Sequence, residues 1–133
     1  MMKEKKTFLF MGIFKVEVQI WDGVPEGFNE NAVAGVYDEP KESKDGTPIY
    51  TVWFSGLVEG YVIMHESWHL FCTMMAHIDS HEHSWRHLNE EIYAYNFHVL
   101  SGEVLENLTS MKYYKKLYDE KDKMNKEENK KDV

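Results

Sequence analysis

The sequence has little cysteine and proline, and it contains no long apolar run. Cys72 is the only cysteine among 133 residues, so an internal disulfide is excluded and a reducing compartment is the simplest setting. Only three prolines occur, and none follows Pro48, so no proline interrupts a helix in the second half. No segment approaches the roughly 18 apolar residues of a membrane span. We therefore expect a chain that does not cross a membrane.

The N-terminus resembles a signal peptide only superficially. Lysines precede an apolar run at residues 8–14, but the run is at the short limit for a signal core and no small-residue cleavage site follows. The run continues into an alternation of apolar and polar residues that suits a half-buried strand. We therefore expect a cytoplasmic protein.

Positively charged residues are fewer than negatively charged ones. The net charge is −8, and residues 22–48 hold seven acids against two lysines, while residues 59–106 hold eight acids against Arg86 alone. Such acidity disfavours nucleic acid as a partner and suits divalent cations or a basic substrate segment. The alternative is that the acidity only keeps the protein soluble.

The first half of the chain is typical of β-structure. Residues 8–21 alternate as a strand, "AVAGVY" forms a second, and "IYTVWFSG" a third that is rich in β-branched and aromatic residues. The polar segment "DEPKESKDGTP" reads as a loop. Since 43% of the residues are apolar, the composition supports a folded core. We predict a small, largely antiparallel sheet of about three strands.

After Gly60 the pattern becomes helical, so the predicted fold class is α+β. One apolar stripe has spacings of 3, 4, 3 and 4, and consists of Tyr61, Met64, Trp68, Phe71 and Met75. A second helix is predicted over 87–100 with Gly102 as its stop, and a third over 103–118. The charged residues 119–133 are expected to be a disordered tail on a single domain of residues 1–118.

The first helix carries the pattern H-E-x-x-H, from His65 to His69. Residues four apart lie about 40° apart around a helix and about 6 Å apart along it, so both imidazoles project from one face. They could give two nitrogens to one Zn²⁺, and Glu66 beside them could reach a metal-bound water as a general base. A catalytic zinc usually has a third protein ligand.

The segment "HLNEEIYAYNFHVL" supplies candidates for that ligand. Glu91 lies 22 residues after His69, and Tyr95 and His98 follow it at i+4 and i+7 on the same helix face. An antiparallel return could bring this face against the two histidines. Tyr95 and His98 are candidate oxyanion donors, although Tyr95 could equally be a packing aromatic and His98 could orient Glu91 or simply pack.

These residues resemble those of known zinc metallopeptidases. An HExxH helix followed by a helix with a glutamate ligand is the pattern of gluzincins, and "HESWH" with "NEEIYAYNFHVL" is similar to the small metallopeptidases encoded by bacteriophages. The resemblance covers roughly residues 50–101. It implies a minimal zincin-like fold with His65, His69 and Glu91 as zinc ligands and Glu66 as catalytic base.

The function implied by the resemblance is hydrolysis of a peptide or protein substrate in the cytoplasm, which for a phage protein is that of the host cell. The alternative is a zincin-like accessory or anti-defence protein that binds a partner without proteolysis. The chain shows no recognisable substrate-binding domain, which keeps this alternative open.

Other residues near the motif have plainer interpretations. Four histidines between the two helices could form a second metal site, although a polar loop is the simpler interpretation: they are His77, His81, His83 and His87. Cys72 falls on the ligand face, but a third ligand on one straight helix would lie about 10 Å from the first, so a small buried residue is expected. Trp68 is predicted to anchor the core.

Overall fold

The sheet comes first along the chain and the helices follow. The computed structural model describes residues 1–80 and 90–131, without the side chains of residues 78–80 and 90–92. The strands are β1 (Met2–Phe10), β2 (Phe14–Trp21), β3 (Ala34–Val36), β4 (Lys41–Glu42) and β5 (Pro48–Ser55). The helices are α1 (Gly60–Ser80), α2 (Glu90–Thr109) and α3 (Lys112–Lys131). The predicted α+β class is confirmed.

The sheet differs from the prediction in strand number and direction. It has five strands in the order β1-β2-β5-β3, and β4 pairs with β5 beside β3. Strands β2 and β5 run parallel, with Val18 opposite Val52, whereas the other pairs are antiparallel. The prediction of about three strands was therefore wrong, and the sheet, predicted to be largely antiparallel, is a mixed one with three antiparallel pairs and one parallel pair. Strand direction depends on how distant segments meet, and local alternation carries no information about it.

The predicted single strand over residues 8–21 is a hairpin. The turn lies at Met11 and Gly12, both with positive φ (54° and 71°), and the Ile13 amide donates to the Phe10 carbonyl at 3.2 Å. Two consecutive residues with positive φ are characteristic of a type I′ turn, which matches the twist of the paired strands. The apolar residues on both sides of the turn hide it in the sequence, because they continue the strand pattern through it.

The core lies between one face of the sheet and helices α1 and α2. Val18, Val52 and Phe54 on the sheet are fully buried, as are Leu70 on α1 and Leu100 on α2. At about 25 cal/mol per Å² of apolar surface, fully burying one such side chain contributes roughly 1.5–3 kcal/mol. This packing fixes α1 against the sheet and so fixes the direction in which its opposite face points.

Helix α1 buries a different stripe from the predicted one. Phe71 and Met75 are in the core as expected, but Tyr61, Met64 and Trp68 are 74%, 46% and 48% exposed. The buried stripe consists of Ile63, Ser67, Leu70, Phe71, Met74 and Met75. The predicted core position of Trp68 was wrong. Sequence hydrophobicity missed the true stripe because it contains a serine.

Helix α2 passes through Gly102 instead of stopping there. Gly102 is exposed, and a Cβ at this position would meet nothing within 4 Å. Helical glycine costs about 1 kcal/mol relative to alanine, but Leu100, Val104 and Leu108 are all fully buried and hold the helix on both sides of it. The prediction that Gly102 ends the helix was therefore wrong.

Helix α3 extends through the segment predicted to be a disordered tail. It continues to Lys131 without a break at residue 118, and none of its side chains is buried. Tyr113, Tyr114 and Leu117 in its first turns pack partly against the core. No helix among the described residues is both long enough and apolar enough to cross a membrane.

The second face of the sheet is covered by the chain between β2 and β5. Phe28 packs edge-on against Trp53 of β5 and against Tyr37, with ring centroids 5.0 and 5.1 Å apart. Gly35 on β3 is required here, because a Cβ at that position would lie 2.7 Å from the Trp53 Nε1 atom. The segment that follows β3 is thereby held at the sheet edge next to α1.

Candidate metal centre

The two motif histidines point out of α1 and converge. His65 and His69 are both exposed, their ring centroids are 4.7 Å apart, and their planes meet at 77°. The Nε2 atom of one ring lies 3.1 Å from the Nε2 atom of the other. Their convergence follows from the four-residue spacing on a helix, because such residues are neighbours on its surface.

This separation fits two ligands of a single metal ion. Two imidazole nitrogens about 2.0–2.1 Å from one tetrahedral zinc ion would be about 3.3–3.4 Å apart. The observed 3.1 Å between the nitrogens of His65 and His69 is close to that value. The histidine pair therefore has the donor atoms and the spacing that a zinc ion requires of two of its ligands.

Glu66 lies beside the pair in a half-buried position and lines the pocket described next. Burial raises the pKa of its carboxyl group, and the nearby His65 and His69 rings partly oppose that rise. A carboxylate with a raised pKa is a better proton acceptor than an ordinary surface glutamate. Glu66 thus lies in the pocket wall next to the two histidine rings.

A pocket of about 700 Å³ opens next to Glu66 and His69. Ligand pockets typically measure about 300–1,000 Å³, so its size suits a small ligand or part of a peptide. Helix α1 forms one wall, and the sheet edge with the segment after β3 forms the other. The lining residues are Val36, Asp38, Pro40, Tyr50, Glu66, His69, Cys72, Thr73, Ala76 and His77.

Tyr50 and Asp38 are two pocket residues that sequence reasoning missed. Tyr50 on β5 is 1% exposed, and its hydroxyl has no hydrogen-bond partner among the described residues. Burial raises its pKa, so the hydroxyl stays protonated at neutral pH. Both residues are distant in sequence from the HExxH pattern, so no spacing rule connects them with it. An aspartate in a Pro-rich loop carries no signal of its own.

Helices α1 and α2 pack antiparallel through aromatic side chains. The Trp68 ring meets the Phe97 ring at 5.3 Å between centroids, and the Phe71 ring meets the Tyr93 ring at 6.3 Å. Moving from Trp68 to Phe71 toward the C-terminus of α1 therefore corresponds to moving from Phe97 to Tyr93 toward the N-terminus of α2. This confirms the antiparallel return of the chain that the sequence suggested.

The helix register also locates the backbone of the predicted third ligand. Glu91 precedes Tyr93 by two residues, so its backbone is about one turn beyond the level of His69, toward the C-terminal end of α1. The Glu91 side chain lies outside the described part of the structure, so its role stays a prediction. Among the side chains that are described, no group of three His, Cys, Asp or Glu residues is placed to hold a metal ion.

No ring contact or hydrogen bond among the described residues joins Tyr95 or His98 to the histidine pair. Tyr95 is 68% exposed and lies two residues before Phe97, which places it on the opposite side of α2 from the α1 contact. His98 is also exposed, and its backbone carbonyl accepts a hydrogen bond from the Ser101 hydroxyl at 3.0 Å. The structure gives no support to either as an oxyanion donor.

The remaining candidates occupy other positions. Cys72 is half-buried in the pocket wall, and burial raises the pKa of its thiol. His77 also lines the pocket, with its ring 6.1 Å from that of Tyr50. The other members of the proposed second metal site lie outside the described residues: they are His81, His83 and His87.

Comparison of the chain with models of known protein families, with curated proteins and with solved structures gives no match. The function is therefore inferred from the site itself.

Proposed function

We propose that this protein is a zinc-dependent metallopeptidase. The observation that supports the proposal is the 3.1 Å separation of the His65 and His69 Nε2 atoms on α1. Glu66, the residue after His65, lines a pocket beside them. This arrangement combines two metal donors, a candidate base and space for a substrate. Glu91 on α2 is proposed as the third ligand.

Each residue of the site would have a separate role in hydrolysis. A bound zinc ion would acidify a water molecule and polarise the carbonyl group that is attacked. His65 and His69 would hold the ion on the solvent side of α1. Glu66 would accept the proton of the attacking water and pass it to the departing amine. Ser67, fully buried with its hydroxyl bonded to the Ile63 carbonyl at 2.7 Å, holds this turn of the helix against the core.

A binding protein without proteolysis is the second candidate. Tyr61, Met64 and Trp68 expose apolar surface on α1 next to the histidine pair. Exposed apolar surface of this kind is common at sites of protein association. In such a protein the metal would position the surface, and the Glu66 carboxylate would be dispensable.

Metal content tests the first part of the proposal. Untagged wild type and the His69→Ala and Glu91→Ala variants would be measured by mass spectrometry, with His98→Ala as the matched control. We expect about one zinc per chain in wild type and in His98→Ala, and much less in the two ligand variants. Wild type that folds without retaining zinc would contradict the proposal.

Peptide cleavage tests the second part. Wild type, Glu66→Gln and the exposed control Glu106→Gln would be incubated with a peptide library at equal zinc content. We expect cleavage by wild type and Glu106→Gln, and a loss of at least about a hundredfold in Glu66→Gln, because removing a general base costs 10²–10⁴-fold. Zinc retention without cleavage of any peptide would favour the binding protein.

A further inference from the structure

The pocket beside Glu66 holds a second carboxylate that is not neutralised. Asp38 follows β3, is exposed, and lines the pocket wall across from α1. Among the residues that the structure describes, its carboxylate takes part in no ion pair or hydrogen bond. Other acids near the sheet are paired, for example Glu17 with Lys41 and Asp45 with Lys15. Asp38 is therefore available to pair with a cation that enters the pocket.

No described residue that lines the pocket is a lysine or an arginine. Asp38 and Glu66 are the two carboxylates among the described lining residues. With zinc held by the histidines beside Glu66, Asp38 would be the carboxylate that attracts a cation and repels a ligand carboxylate.

The buried Tyr50 hydroxyl is an independent sign of a polar ligand. It is a hydrogen-bonding group in the pocket lining, and no described residue satisfies it. A buried hydroxyl without a partner is unfavourable, because it loses the hydrogen bonds that it makes to water in the unfolded chain. A polar group bound in the pocket would supply the missing partner, and the phenol oxygen can accept from an N–H donor.

We propose that this pocket binds a basic side chain, arginine or lysine, of the polypeptide on which the protein acts. The proposal rests on the peptidase function and deepens it by naming the residue class that is recognised. Asp38 would pair with the cationic head, and the Tyr50 oxygen would accept one of its N–H groups. The apolar side chains of Val36, Pro40 and Ala76 would pack on the methylene stem, as is common for long basic residues.

Binding of a small cation tests the pocket without depending on catalysis. The probe is benzamidine, whose amidinium resembles the head of arginine, and benzamide is its neutral isostere. Backbone amide shifts of Cys72, Thr73 and Ala76 would be followed by NMR in the full-length protein at pH 8. We expect benzamidine to shift these amides and to bind at least about tenfold more tightly than benzamide, because a charge-assisted hydrogen bond is lost in the neutral compound.

Variants assign the binding to the named residues. Asp38→Asn should weaken benzamidine about tenfold or more, while Glu39→Gln, an exposed neighbour outside the pocket lining, should leave it unchanged. Tyr50→Phe should weaken binding severalfold without lowering the unfolding temperature, because the removed hydroxyl has no partner in the described fold. Equal binding of the two probes, or full binding by Asp38→Asn, would overturn the inference.

Cleavage of paired peptides separates this inference from the proposed function. Peptides with arginine or its neutral isostere citrulline at one position would be compared by kcat/KM. We expect a preference for arginine of about tenfold or more that disappears in Asp38→Asn. Cleavage with no preference at any position would leave the peptidase standing and remove the inference. Asp38-dependent benzamidine binding without any cleavage would leave the binding pocket for a basic group standing and remove the peptidase function.

Discussion

Lys41 donates to the buried carboxylate of Glu17 at 2.9 Å and so ties β4 to the middle of the sheet. Glu17 is only 3% exposed, and Gln19 donates to the same oxygen at 2.5 Å. Asp38 lies three residues before Lys41, so this contact also holds the segment that forms the pocket wall. The fold thus uses one buried charge to position a loop of the candidate site.

The buried Glu17 carboxylate should make the free energy of unfolding depend on pH. Burial by itself would raise the pKa of Glu17, but hydrogen bonds from Lys41 and Gln19 and the charge of Lys5 outweigh it, so the pKa is lowered from its usual 4.5. A carboxyl group whose pKa is lower in the folded state stabilises the protein at pH values above its unfolded-state pKa. This contribution is lost as the pH falls through the folded-state pKa.

Urea unfolding of Glu17→Gln and wild type between pH 3 and 7 measures this effect. We expect the variant to be about 1–3 kcal/mol less stable at pH 7, with the difference shrinking as pH falls below about 4.5. The exposed Glu26→Gln controls for the loss of one charge. A difference that stays constant across this pH range would contradict the assignment.

Two methionines on α1 should respond differently to truncation. Met74 is fully buried, whereas Met64 is 46% exposed. Met74→Ala should cost about 2–5 kcal/mol, because it leaves a cavity in the core. Met64→Ala should change the free energy of unfolding by less than about 0.5 kcal/mol. Denaturant unfolding decides between this buried stripe and the one drawn from the sequence, which contains Met64 but not Met74 and for which the cost of Met64→Ala would be large.

Two glycines should respond to alanine with opposite signs. Gly102 lies within α2 with open space around it, so Gly102→Ala should stabilise the protein by about 0.4–1 kcal/mol. Gly12 has φ of 71° in the β1–β2 turn, so Gly12→Ala should destabilise it, typically by about 1 kcal/mol. Thermal unfolding of the two variants makes the comparison. A loss of stability in Gly102→Ala would show that the helix does not run through this position in solution.

Zinc should stabilise the folded chain if the histidine pair binds it. A ligand that binds only the folded state adds about 2.7 kcal/mol at a free concentration of 100 Kd. Thermal unfolding with and without zinc should show this gain in wild type and in His98→Ala, and its loss in His65→Ala. An equal gain in His65→Ala would place the stabilising ion elsewhere, for example among the other histidines.

Part of the site could be predicted because it is local. The spacing of His65 and His69 alone requires that they share a helix face, since four residues make about one turn. The β-rich first half and the helical second half were also readable, because strand and helix have different apolar periods. The antiparallel packing of α2 on α1 followed from the connection between them.

Tertiary structure decided the rest, because it depends on contacts between distant segments. The parallel pairing of β2 with β5 depends on how two strands distant in sequence meet, and the burial of Ser67 in place of Trp68 depends on how α1 packs on the sheet. The same packing brings Asp38 and Tyr50 to the pocket beside Glu66. The sequence by itself determined that two imidazoles and a carboxylate would stand together on one helix. Only the folded chain decided what faces them, since a side chain's partners across a pocket are set by packing and not by spacing.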